Sequence, residues 1–558
     1  MDRRIVSDEA EAGRRGREKY YLAAFVIMTC LCAYFAYRAF GAKGGLQNTA
    51  QIEAKAKTKE ITHKEKDIYT KEYQDEAQEQ IDKLKEEADY TVDDPLLISN
   101  PYGTNTTSIY YFANSDHYSY AKCTVEAEGA EKITQTLKND GENNLTLQHE
   151  YQITGLAEGA KNKITMIFYD RNDKVVDRTY FYVTTDEDSE IPEITKVEEG
   201  SSKQEMTDGF FAMLGHDKSE AANVYFYDNE GVSRGKIPLN GYRTDRLITV
   251  DGNLIFSYDT SNIAVMNRLG KIIDTMDIGK YEFHHDFCYD EDAGVLLCLV
   301  NDTGKDTIED VLISVDLETG KVKELIDFED LLPEMRKNAV QRKGGKNTYG
   351  GTELDWLHLN SLDIIDDGEI IVSSREQSAL IKVSDIFDQP EISYIIHGGT
   401  LYDGTDYEQY LLEQDGDFRG QAGQHTITVE KSDDLEDGQY YLYMFDNNFG
   451  NAATIPDFDW DQYPGVGTYN EGDASHYYKY LIDEEASTYQ LVQDFDLPYS
   501  NIVSSVQQMG GNIPFSSGRS KCFGEYDEDG NMIKTFTYDA DKYSYRVMKY
   551  NFKGFYYQ

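Results

Sequence analysis

Three short segments place histidines at equivalent points of an internal repeat, in a chain that has only ten histidines in 558 residues. They are Phe283-His284-His285-Asp286, Trp356-Leu357-His358-Leu359-Asn360 and Gly423-Gln424-His425-Thr426, and Ser373-Ser374-Arg375 ends the strand predicted after the second segment. Imidazole is a nucleophile when neutral and an acid when charged, and the arginine fork binds oxyanions. This set indicates transfer of a tetrahedral anionic group, sulfuryl or phosphoryl, through a covalent histidine intermediate.

Two other interpretations of the histidines remain open. Buried histidines often tie neighbouring strands together through hydrogen bonds to the backbone, without any chemical role. Several histidines could also ligate zinc or iron, but such sites usually include carboxylates, and Asp286 is the only carboxylate within the three segments. The positive charge of Arg375 would oppose a bound dication. We therefore predict no metal and no cofactor.

The repeat consists of two kinds of turn that alternate along the chain, each followed by a strand-like run. Six turns of each kind predict six four-stranded blades, which is a β-propeller with large loop insertions over residues 196–558. Innermost strands of a propeller converge on its central channel, so the histidine segments should meet on one rim, with Arg246 and Asn501 at the equivalent places of other blades. The turns are Asp208-Gly209, Asp251-Gly252, Asp292-Ala293-Gly294, Asp367-Gly368, Asp437-Gly438 and Gly510-Gly511-Asn512, alternating with residues 228–231, 267–270, 317–320, 385–390, 446–450 and 527–530.

The residues before the propeller divide into four predicted segments. Residues 1–19 are basic and precede an apolar stretch at 20–40, long enough to cross a bilayer, so we expect a cytoplasmic N-terminus and an uncleaved anchor. A cleaved signal peptide is the alternative. Residues 41–89 are rich in charged residues and predict a helical stalk, and short alternating strands over 90–195 predict a small β-sandwich.

Composition limits the partners of the protein. The net charge of −48 excludes a general affinity for nucleic acid. The chain has six cysteines, and none of them form the C-x-x-C spacing of a zinc or redox site. Cys288 and Cys298 flank a predicted turn, and whether they are oxidised outside the membrane stays open.

The histidine segments also resemble a known family. The succession F-H-H-D, W-L-H-L-N-S-L-D, S-S-R-E and G-Q-H-T, with F-D-N-N about twenty residues later, is similar to that of the bacterial arylsulfate sulfotransferases. The resemblance covers roughly residues 90–558. It implies a small β-sandwich followed by a six-bladed propeller. It further implies a histidine nucleophile that takes a sulfuryl group from a phenolic sulfate ester, forms a sulfohistidine and passes the group to a second phenol, with no nucleotide donor.

The resemblance implies roles for individual residues. His425 would be the nucleophile, and His358, Asn360 and Arg375 would hold the sulfuryl oxygens. One histidine of the 284–285 pair would assist; the repeat alignment favours His285, but the resemblance leaves His284 open. This chain departs from better-known members by its N-terminal anchor and stalk. It also has no cysteine between Cys298 and Cys522, so the disulfide found near the nucleophile loop of some members cannot form.

The sequence therefore predicts a single-pass membrane protein whose catalytic domain is extracellular or periplasmic. Its expected partners are a phenolic sulfate donor, a phenolic acceptor, the membrane through residues 20–40 and a second copy in a homodimer, without nucleic acid. Two alternatives from other classes remain: a non-catalytic extracellular propeller that binds a glycan or a protein, and a metal-dependent propeller hydrolase such as a lactonase.

Overall fold

The computed structural model describes residues 51–138, 147–215, 223–241, 243–347, 349–460, 466, 473–552 and 555. The predicted cytoplasmic segment and membrane anchor, residues 1–40, lie outside the described residues. No helix within those ranges is long and apolar enough to span a membrane. Strands dominate this part of the chain, whose α-helices are Lys71–Glu86, Phe328–Leu331 and Pro333–Asn338, with a 3₁₀ turn at Glu408–Tyr410.

Two sheets near the start of the described chain pack face to face. Every second residue of the strand Lys161–Tyr169 is buried, as expected where one face of a strand covers a core. Buried residues of both sheets, among them Tyr111, Cys123 and Phe168, form one apolar cluster. This is the layer arrangement of a β-sandwich. In spatial order the first sheet contains Ile52–Glu53, Val175–Thr184, Lys161–Tyr169, Tyr120–Glu126 and Ile133–Lys138, and the second contains Thr58–Lys59, Leu96–Ser99, Ile109–Asn114 and Gln148–Ile153.

The segment expected to be a free helical stalk is folded onto this sandwich. Two short strands before residue 60 each extend an edge of a sheet by parallel pairing. The helix Lys71–Glu86 buries Ala77 and Ile81 completely, in one cluster with residues from the outer face of the second sheet. The prediction of a stalk over residues 41–89 is therefore corrected from residue 51 onward. Side chains four residues apart form a narrow apolar stripe, which was enough to pack one face of the helix against the sheet.

The described residues between 193 and 550 form six sheets, the number predicted from the turns. All strand pairs in them are antiparallel except Glu413–Gln414 with Thr488–Leu497. We number the sheets one to six in chain order and name first the strand expected to be innermost. Their strands are: sheet one, Val547–Tyr550, Phe210–Met213, Asn223–Tyr227 and Ser233–Pro238; sheet two, Ile248–Val250, Asn253–Ser257, Asn262–Met266 and Ile272–Asp277; sheet three, Tyr281–Asp290, Val295–Asp302, Val311–Asp316 and Val322–Asp327; sheet four, Leu359–Asp366, Glu369–Ser374, Ala379–Ser384 and Glu391–Ile396; sheet five, His425–Glu430, Gln439–Asp446, Ser475–Asp483, Thr488–Leu497 and Glu413–Gln414; sheet six, Ser505–Val506, Asn512–Ser517, Cys522–Asp527, Met532–Asp539 and Glu193–Glu199.

The two ends of the six-sheet region are paired with each other. Sheet one takes its first strand, Val547–Tyr550, from the far end of the region. Sheet six takes its outermost strand, Glu193–Glu199, from the beginning. Such closure protects the edges that an open array of sheets would expose. The fold is therefore all-β and propeller-like.

The predicted turns lie between strands, with one difference. In sheets two to six the first kind of turn joins the first and second strands, as at Asp251-Gly252. In sheets one to four and six the second kind joins the third and fourth strands. Residues 446–450 instead follow the second strand of sheet five and begin a long connection to Ser475–Asp483. The long insertion of sheet five therefore lies between its second and third strands, whereas the repeat placed this turn between the third and fourth.

The four described cysteines are free thiols. Cys288 pairs across the strands with Leu297, and Cys298 pairs with Phe287. Because cross-strand partners share a face and neighbouring residues alternate, Cys288 and Cys298 lie on opposite faces of sheet three. A disulfide between these two cysteines would need a different strand register.

A buried carboxylate, Asp286, joins four of the six sheets. Arg246, before the first strand of sheet two, donates from Nε and Nη2 at 2.6 and 3.1 Å. Arg546, before the first strand of sheet one, donates from Nη1 and Nη2 at 2.8 and 3.1 Å. The backbone N–H of Leu362 in sheet four donates at 3.3 Å. Burial alone would raise the pKa of Asp286, but the two guanidinium groups outweigh it and hold the pKa below its usual value.

Replacing Asp286 with Asn should lower the free energy of unfolding by about 3–5 kcal/mol, because two buried guanidinium groups lose their counter-ion. Urea unfolding of the variant measures this change. Asp292→Asn, in the exposed turn of the same hairpin, is the matched control and should stay within about 0.5 kcal/mol of the parent. Equal unfolding midpoints for the two variants would contradict the role given to Asp286.

Candidate active site

A cavity of about 550 Å³ gathers residues from distant parts of the chain. Four predicted site residues line it: His285, His358, Arg375 and His425. The three histidines are almost fully buried, so they lie within the cavity wall and not on an open rim as expected. The other lining residues are Gly215, Arg243, Arg342, Tyr349, Asp355, Glu376, Phe449, Asn451, Ala453, Asn501, Ile502, Val503, Lys542, Tyr543 and Tyr545.

The three histidine segments share a backbone irregularity at the same level of their sheets. The pairing register shifts after Phe283 in sheet three, after Leu359 in sheet four and after His425 in sheet five. Within or directly beside these irregularities, His285, His358 and Thr426 have positive φ angles of 61°, 50° and 58°. Positive φ is uncommon for residues other than glycine, and β-bulges redirect the side chains beside them. Equivalent bulges therefore turn the three segments toward one cavity.

Asn447 holds His425 in one tautomer. Nδ1 of His425 lies 2.7 Å from Oδ1 of Asn447 and 3.0 Å from the carbonyl oxygen of Gly423. The Asn447 amide donates from Nδ2 to the carbonyl oxygens of Ser500 and Val503, at 2.7 and 3.0 Å, which fixes its orientation. Since both partners of Nδ1 are acceptors, Nδ1 carries the proton. Nε2 therefore keeps its lone pair, which accepts the backbone N–H of Val503 at 3.2 Å.

His425 is neutral in this position. Burial holds the pKa of its imidazole well below the ordinary value, and the positive charge of Arg375 lowers the pKa further. A neutral imidazole with a fixed tautomer offers its lone pair at physiological pH without first losing a proton. The structure thus provides a nucleophilic nitrogen at residue 425.

His358 is protonated and positively charged, unlike His425. Its Nδ1 lies 2.6 Å from Oε2 of Glu309 and 2.9 Å from Oδ2 of Asp355. Burial acts to lower the pKa of His358, but the carboxylates of Asp355 and Glu309 outweigh it and raise the pKa to about 10. The ring is therefore an imidazolium at neutral pH. Because both carboxylates engage Nδ1, the proton on Nε2 is the one that can be donated to a substrate.

Of the neighbouring pair, His285 reaches the cavity and His284 does not. Their Nδ1 atoms lie 3.0 Å apart, so one ring donates to the other. The His285 ring centroid is 5.0 Å from that of His358 and 5.3 Å from that of Tyr545. Burial lowers the pKa of both rings, that of His284 to about 3. His285 is thus a second neutral imidazole beside the charged His358.

Asn360 supports the nucleophile segment and does not line the cavity. Its side-chain Nδ2 donates to the carbonyl oxygen of Gln424 at 2.7 Å. Its own carbonyl oxygen accepts from the hydroxyl of Tyr545 at 3.1 Å and from Nη2 of Arg546 at 3.0 Å. The side chain is fully buried, and its contact in this structure fixes the residue before His425. The contact expected between Asn360 and the sulfuryl oxygens stays a prediction.

Positive charge collects at the cavity although the chain has a net charge of −48. The Arg243 guanidinium stacks 3.9 Å from the centre of the Tyr545 ring and donates to Asp245 at 2.9 Å. The basic residues that line the cavity are Arg243, Arg342, Arg375 and Lys542, and its acidic residues are Asp355 and Glu376. Together with the imidazolium of His358, the basic residues make the cavity attractive to an anion.

Sequence reasoning missed the residues that set the state of each histidine. Asn447 lies in the F-D-N-N segment and Asp355 adjoins the second histidine segment, so both carried a signal without an assigned role. Glu309 lies in a connection without any motif. Of the two further positions suggested by repeat alignment, Asn501 lines the cavity, whereas Arg246 binds Asp286.

Two trios of described residues at the cavity have ligand atoms close enough to share a metal ion, within 4.8 Å of one another. In the trio that includes His358, the carboxylate oxygens approach an imidazole nitrogen that carries a proton. A metal would need the lone pair of that nitrogen. Without a metal ion these contacts are an ion pair, and a metal ion would have to displace the Nδ1 proton of His358. The trios are His284, His285 and Glu309, and Glu309, Asp355 and His358.

The family model of arylsulfotransferase (ASST) matches residues 195–558, and that of the arylsulfotransferase Ig-like domain matches residues 96–185. The chain belongs to the arylsulfotransferase family. It is an aryl-sulfate sulfotransferase, and the resemblance noted in the sequence is confirmed. No curated protein matches the chain.

Solved structures similar to this sulfotransferase share little sequence with it. A protein of unknown function from Bacteroides caccae is 10% identical, with 61% of this chain and 99% of that chain covered and a TM-score of 0.35. The WD40 domain of coronin from Toxoplasma gondii is 9% identical, with 62% and 77% covered and a TM-score of 0.31. A functionally unknown protein from Desulfotomaculum acetoxidans is 10% identical, with 61% and 99% covered and a TM-score of 0.34. At such low TM-scores these likenesses carry no argument about the site.

Replacing Asn447 with Leu should slow sulfuryl transfer by about 100-fold, because the imidazole of His425 is no longer held in the tautomer that exposes the Nε2 lone pair. The rate of phenol release from a chromogenic aryl sulfate measures this effect. Asn172→Leu, at an exposed turn of the sandwich, controls for the loss of an asparagine. An unchanged rate for Asn447→Leu would show that the tautomer is fixed by other contacts.

Proposed function

We propose that this sulfotransferase moves a sulfuryl group from a phenolic sulfate ester to a phenol in two steps, through a sulfohistidine at His425. One observation carries the proposal: Nδ1 of His425 donates to Oδ1 of Asn447 at 2.7 Å, so Nε2 keeps its lone pair in a cavity rich in cations. That lone pair can attack once it releases the backbone N–H of Val503. This is the arrangement that a covalent histidine mechanism needs. The scheme uses no nucleotide donor and no cofactor.

In the first step, Nε2 of His425 attacks the sulfur atom of the donor. The S–N bond forms while the bond from sulfur to the phenolic oxygen breaks. Arg375 and the His358 imidazolium offset the negative charge on the sulfuryl oxygens, an effect worth about 10²–10³ in rate for a single well-placed donor. His358 then gives its Nε2 proton to the departing oxygen. Its pKa of about 10 matches that of a phenol, about 10. The free-energy change of this proton transfer is therefore close to zero.

In the second step, the acceptor phenol takes the place of the first phenol. The now neutral His358 accepts the phenolic proton, and the acceptor oxygen attacks sulfur. The S–N bond breaks and its electron pair returns to Nε2 of His425. His285 is the other candidate for this base, because it is neutral and its ring lies beside that of His358. Two half-reactions through one intermediate give ping-pong kinetics.

We also propose that the six sheets are the blades of one propeller, with the cavity at one mouth of its channel. The contacts of Asp286 with residues of three other sheets support this arrangement, since they bring the beginnings of the first strands together. A crystal structure with a different number of blades would contradict it.

Residues 20–40, which lie outside the described residues, are proposed to anchor the protein, with the N-terminus in the cytoplasm and the catalytic domain extracellular or periplasmic. The basic residues that precede this apolar stretch support that orientation. Protease added to intact cells, with the outer membrane permeabilised where there is one, should remove the catalytic domain; full protection would reverse the topology. A homodimer stays a prediction.

A metal-dependent hydrolase is the second candidate, favoured by the clustering of His358, Asp355 and Glu309. Metal analysis of the purified protein separates the two. One tightly bound ion per chain, together with hydrolysis that a chelator abolishes, would support the hydrolase.

The full-length protein, given 4-nitrophenyl sulfate and phenol without any nucleotide, should release 4-nitrophenol and form phenyl sulfate. His425→Asn should lower both half-reactions by at least about 10⁴-fold, because no other group replaces the nucleophile. Arg375→Ala should lower the rate by about 10²–10³-fold while the sulfo-enzyme still forms, because Arg375 stabilises oxygens and does not bond to sulfur.

Arg171→Ala, at an exposed position of the sandwich, is the matched control and should keep the parent rate. Comparable transfer by His425→Asn and the parent would exclude His425 as the nucleophile.

A further inference from the structure

A series of hydrogen bonds and close charged contacts, outside the residues that the sequence predicted, ends at His358. The hydroxyl of Tyr349 donates to Oε1 of Glu309 at 2.6 Å. Oε2 of the same carboxylate lies 2.6 Å from Nδ1 of His358. Tyr349 is 58% exposed at the cavity, whereas Glu309 is fully buried. The series therefore connects the cavity entrance with the charged imidazole.

The backbone fixes Glu309 in an unusual conformation. Its φ angle is +62°, a value that side-chain-bearing residues keep only where the surrounding structure imposes it. Its N–H donates to Oδ1 of Asn301 at 2.8 Å, and its carbonyl oxygen accepts the N–H of Leu359 at 3.0 Å. These contacts tie Glu309 both to sheet three and to the residue after His358.

Tyr349 is also held on its own segment. The N–H groups of Tyr349 and Gly351 both donate to Oδ1 of Asn347, at 3.0 and 2.9 Å. This turn sets the position of the tyrosine backbone, so the hydroxyl reaches Glu309 from a defined direction. The exposure of the ring and the burial of its hydroxyl partner distinguish Tyr349 from a packing residue.

We propose that Glu309 and Tyr349 are positioning residues for the transfer reaction: with Asp355 they hold the His358 ring so that Nε2 faces the phenolic oxygen that leaves or enters. The inference rests on the proposed function, because it assigns supports to the acid and base of that scheme. Burial raises the pKa of Glu309, and the imidazolium of His358 opposes that rise. The carboxylate of Glu309 therefore stabilises the imidazolium of His358, and the imidazolium stabilises the carboxylate.

Other groups near His358 also act on its charge. Two carboxylates favour the imidazolium, while the neutral histidines and the guanidinium do not. The facing groups are Asp355 from the same segment, Glu309 from the connection within sheet three, His284 and His285 from the first strand of sheet three, His425 from sheet five and Arg375 from sheet four. Removing Glu309 leaves one carboxylate against the neighbouring positive charge.

The experiment compares two donors in the full-length protein. Phenyl sulfate has a basic leaving group that needs a proton, whereas 4-nitrophenyl sulfate has a stable leaving phenolate. Without acceptor, each donor reports only the first step. Tyr349→Phe should lower the rate of phenol release from phenyl sulfate in this step by about tenfold, because Glu309 loses a hydrogen bond to its charged form. The donor concentration that gives half the maximal rate, and the first-step rate with 4-nitrophenyl sulfate, should stay within about twofold. Tyr182→Phe, a sandwich tyrosine that is 43% exposed, is the matched control.

The pH profile of the first-step rate with phenyl sulfate, measured without acceptor, provides a second readout. His358 donates its proton only when charged, so the rate is full below its pKa and falls as the pH rises through it. Glu309→Gln removes a carboxylate from Nδ1, which lowers this pKa. The alkaline limb should move to lower pH by about one unit or more, and Tyr349→Phe should move it less in the same direction.

The outcomes separate the inference from the function on which it rests. An inactive parent protein would overturn both. An active parent with Tyr349→Phe equal to it on both donors, and with the alkaline limb unmoved, would overturn the inference alone. An equal loss on both donors would also overturn it, since general damage to the site does not depend on the leaving group. Tyr349 is exposed, so its variant tests the inference even if Glu309→Gln does not fold.

Discussion

The arrangement of the site depends on the ion pairs that the buried carboxylate of Asp286 forms with two arginines. Two guanidinium groups, from Arg246 and Arg546, neutralise this carboxylate from different sheets. Arg546 also donates to the carbonyl oxygen of Asn360, and the Asn360 side chain donates to Gln424, the residue before His425. The charge pairing of Asp286 thus extends by direct contacts to the residue before His425, the proposed nucleophile.

The site obtains different chemistry from one residue type through local electrostatics. His425 sits between acceptors that fix its Nδ1 proton, and its burial near Arg375 keeps it neutral. His358 lies equally deep, but two carboxylates contact its Nδ1 and keep it charged. Environments that push apart the pKa values of similar groups commonly separate nucleophilic and acid roles. In the proposed mechanism the same principle separates the nitrogen that bonds to sulfur from the proton donor.

The sequence predicted those parts of the structure that repeat. Paired turns gave the six sheets, and equivalent histidine segments gave His285, His358 and His425 at one cavity. It did not predict the bulges that turn these residues inward, or their burial. The sequence also did not predict the contact between the Asn360 side chain and Gln424, because one residue of register decides whether a side chain faces the cavity or the neighbouring sheet.

Contacts between distant residues were beyond sequence reasoning. Glu309 reaches His358 only because the connection within sheet three folds back along the next sheet, and no motif marks it. Asp286 and Arg546 are 260 positions apart. The helix Lys71–Glu86 carries mostly polar residues, so its packing on the sandwich depended on a stripe of few apolar side chains. Long-range packing, and not local propensity, decided each of these cases.

The central claim is that sulfur bonds to His425, and mass spectrometry of the protein quenched after exposure to donor alone tests it most directly. The account predicts that the peptide bearing His425 gains one sulfuryl group, which is lost on acid treatment and on addition of phenol. A sulfuryl group found on another residue, or no added mass while donor phenol is released in a stoichiometric burst, would contradict the account.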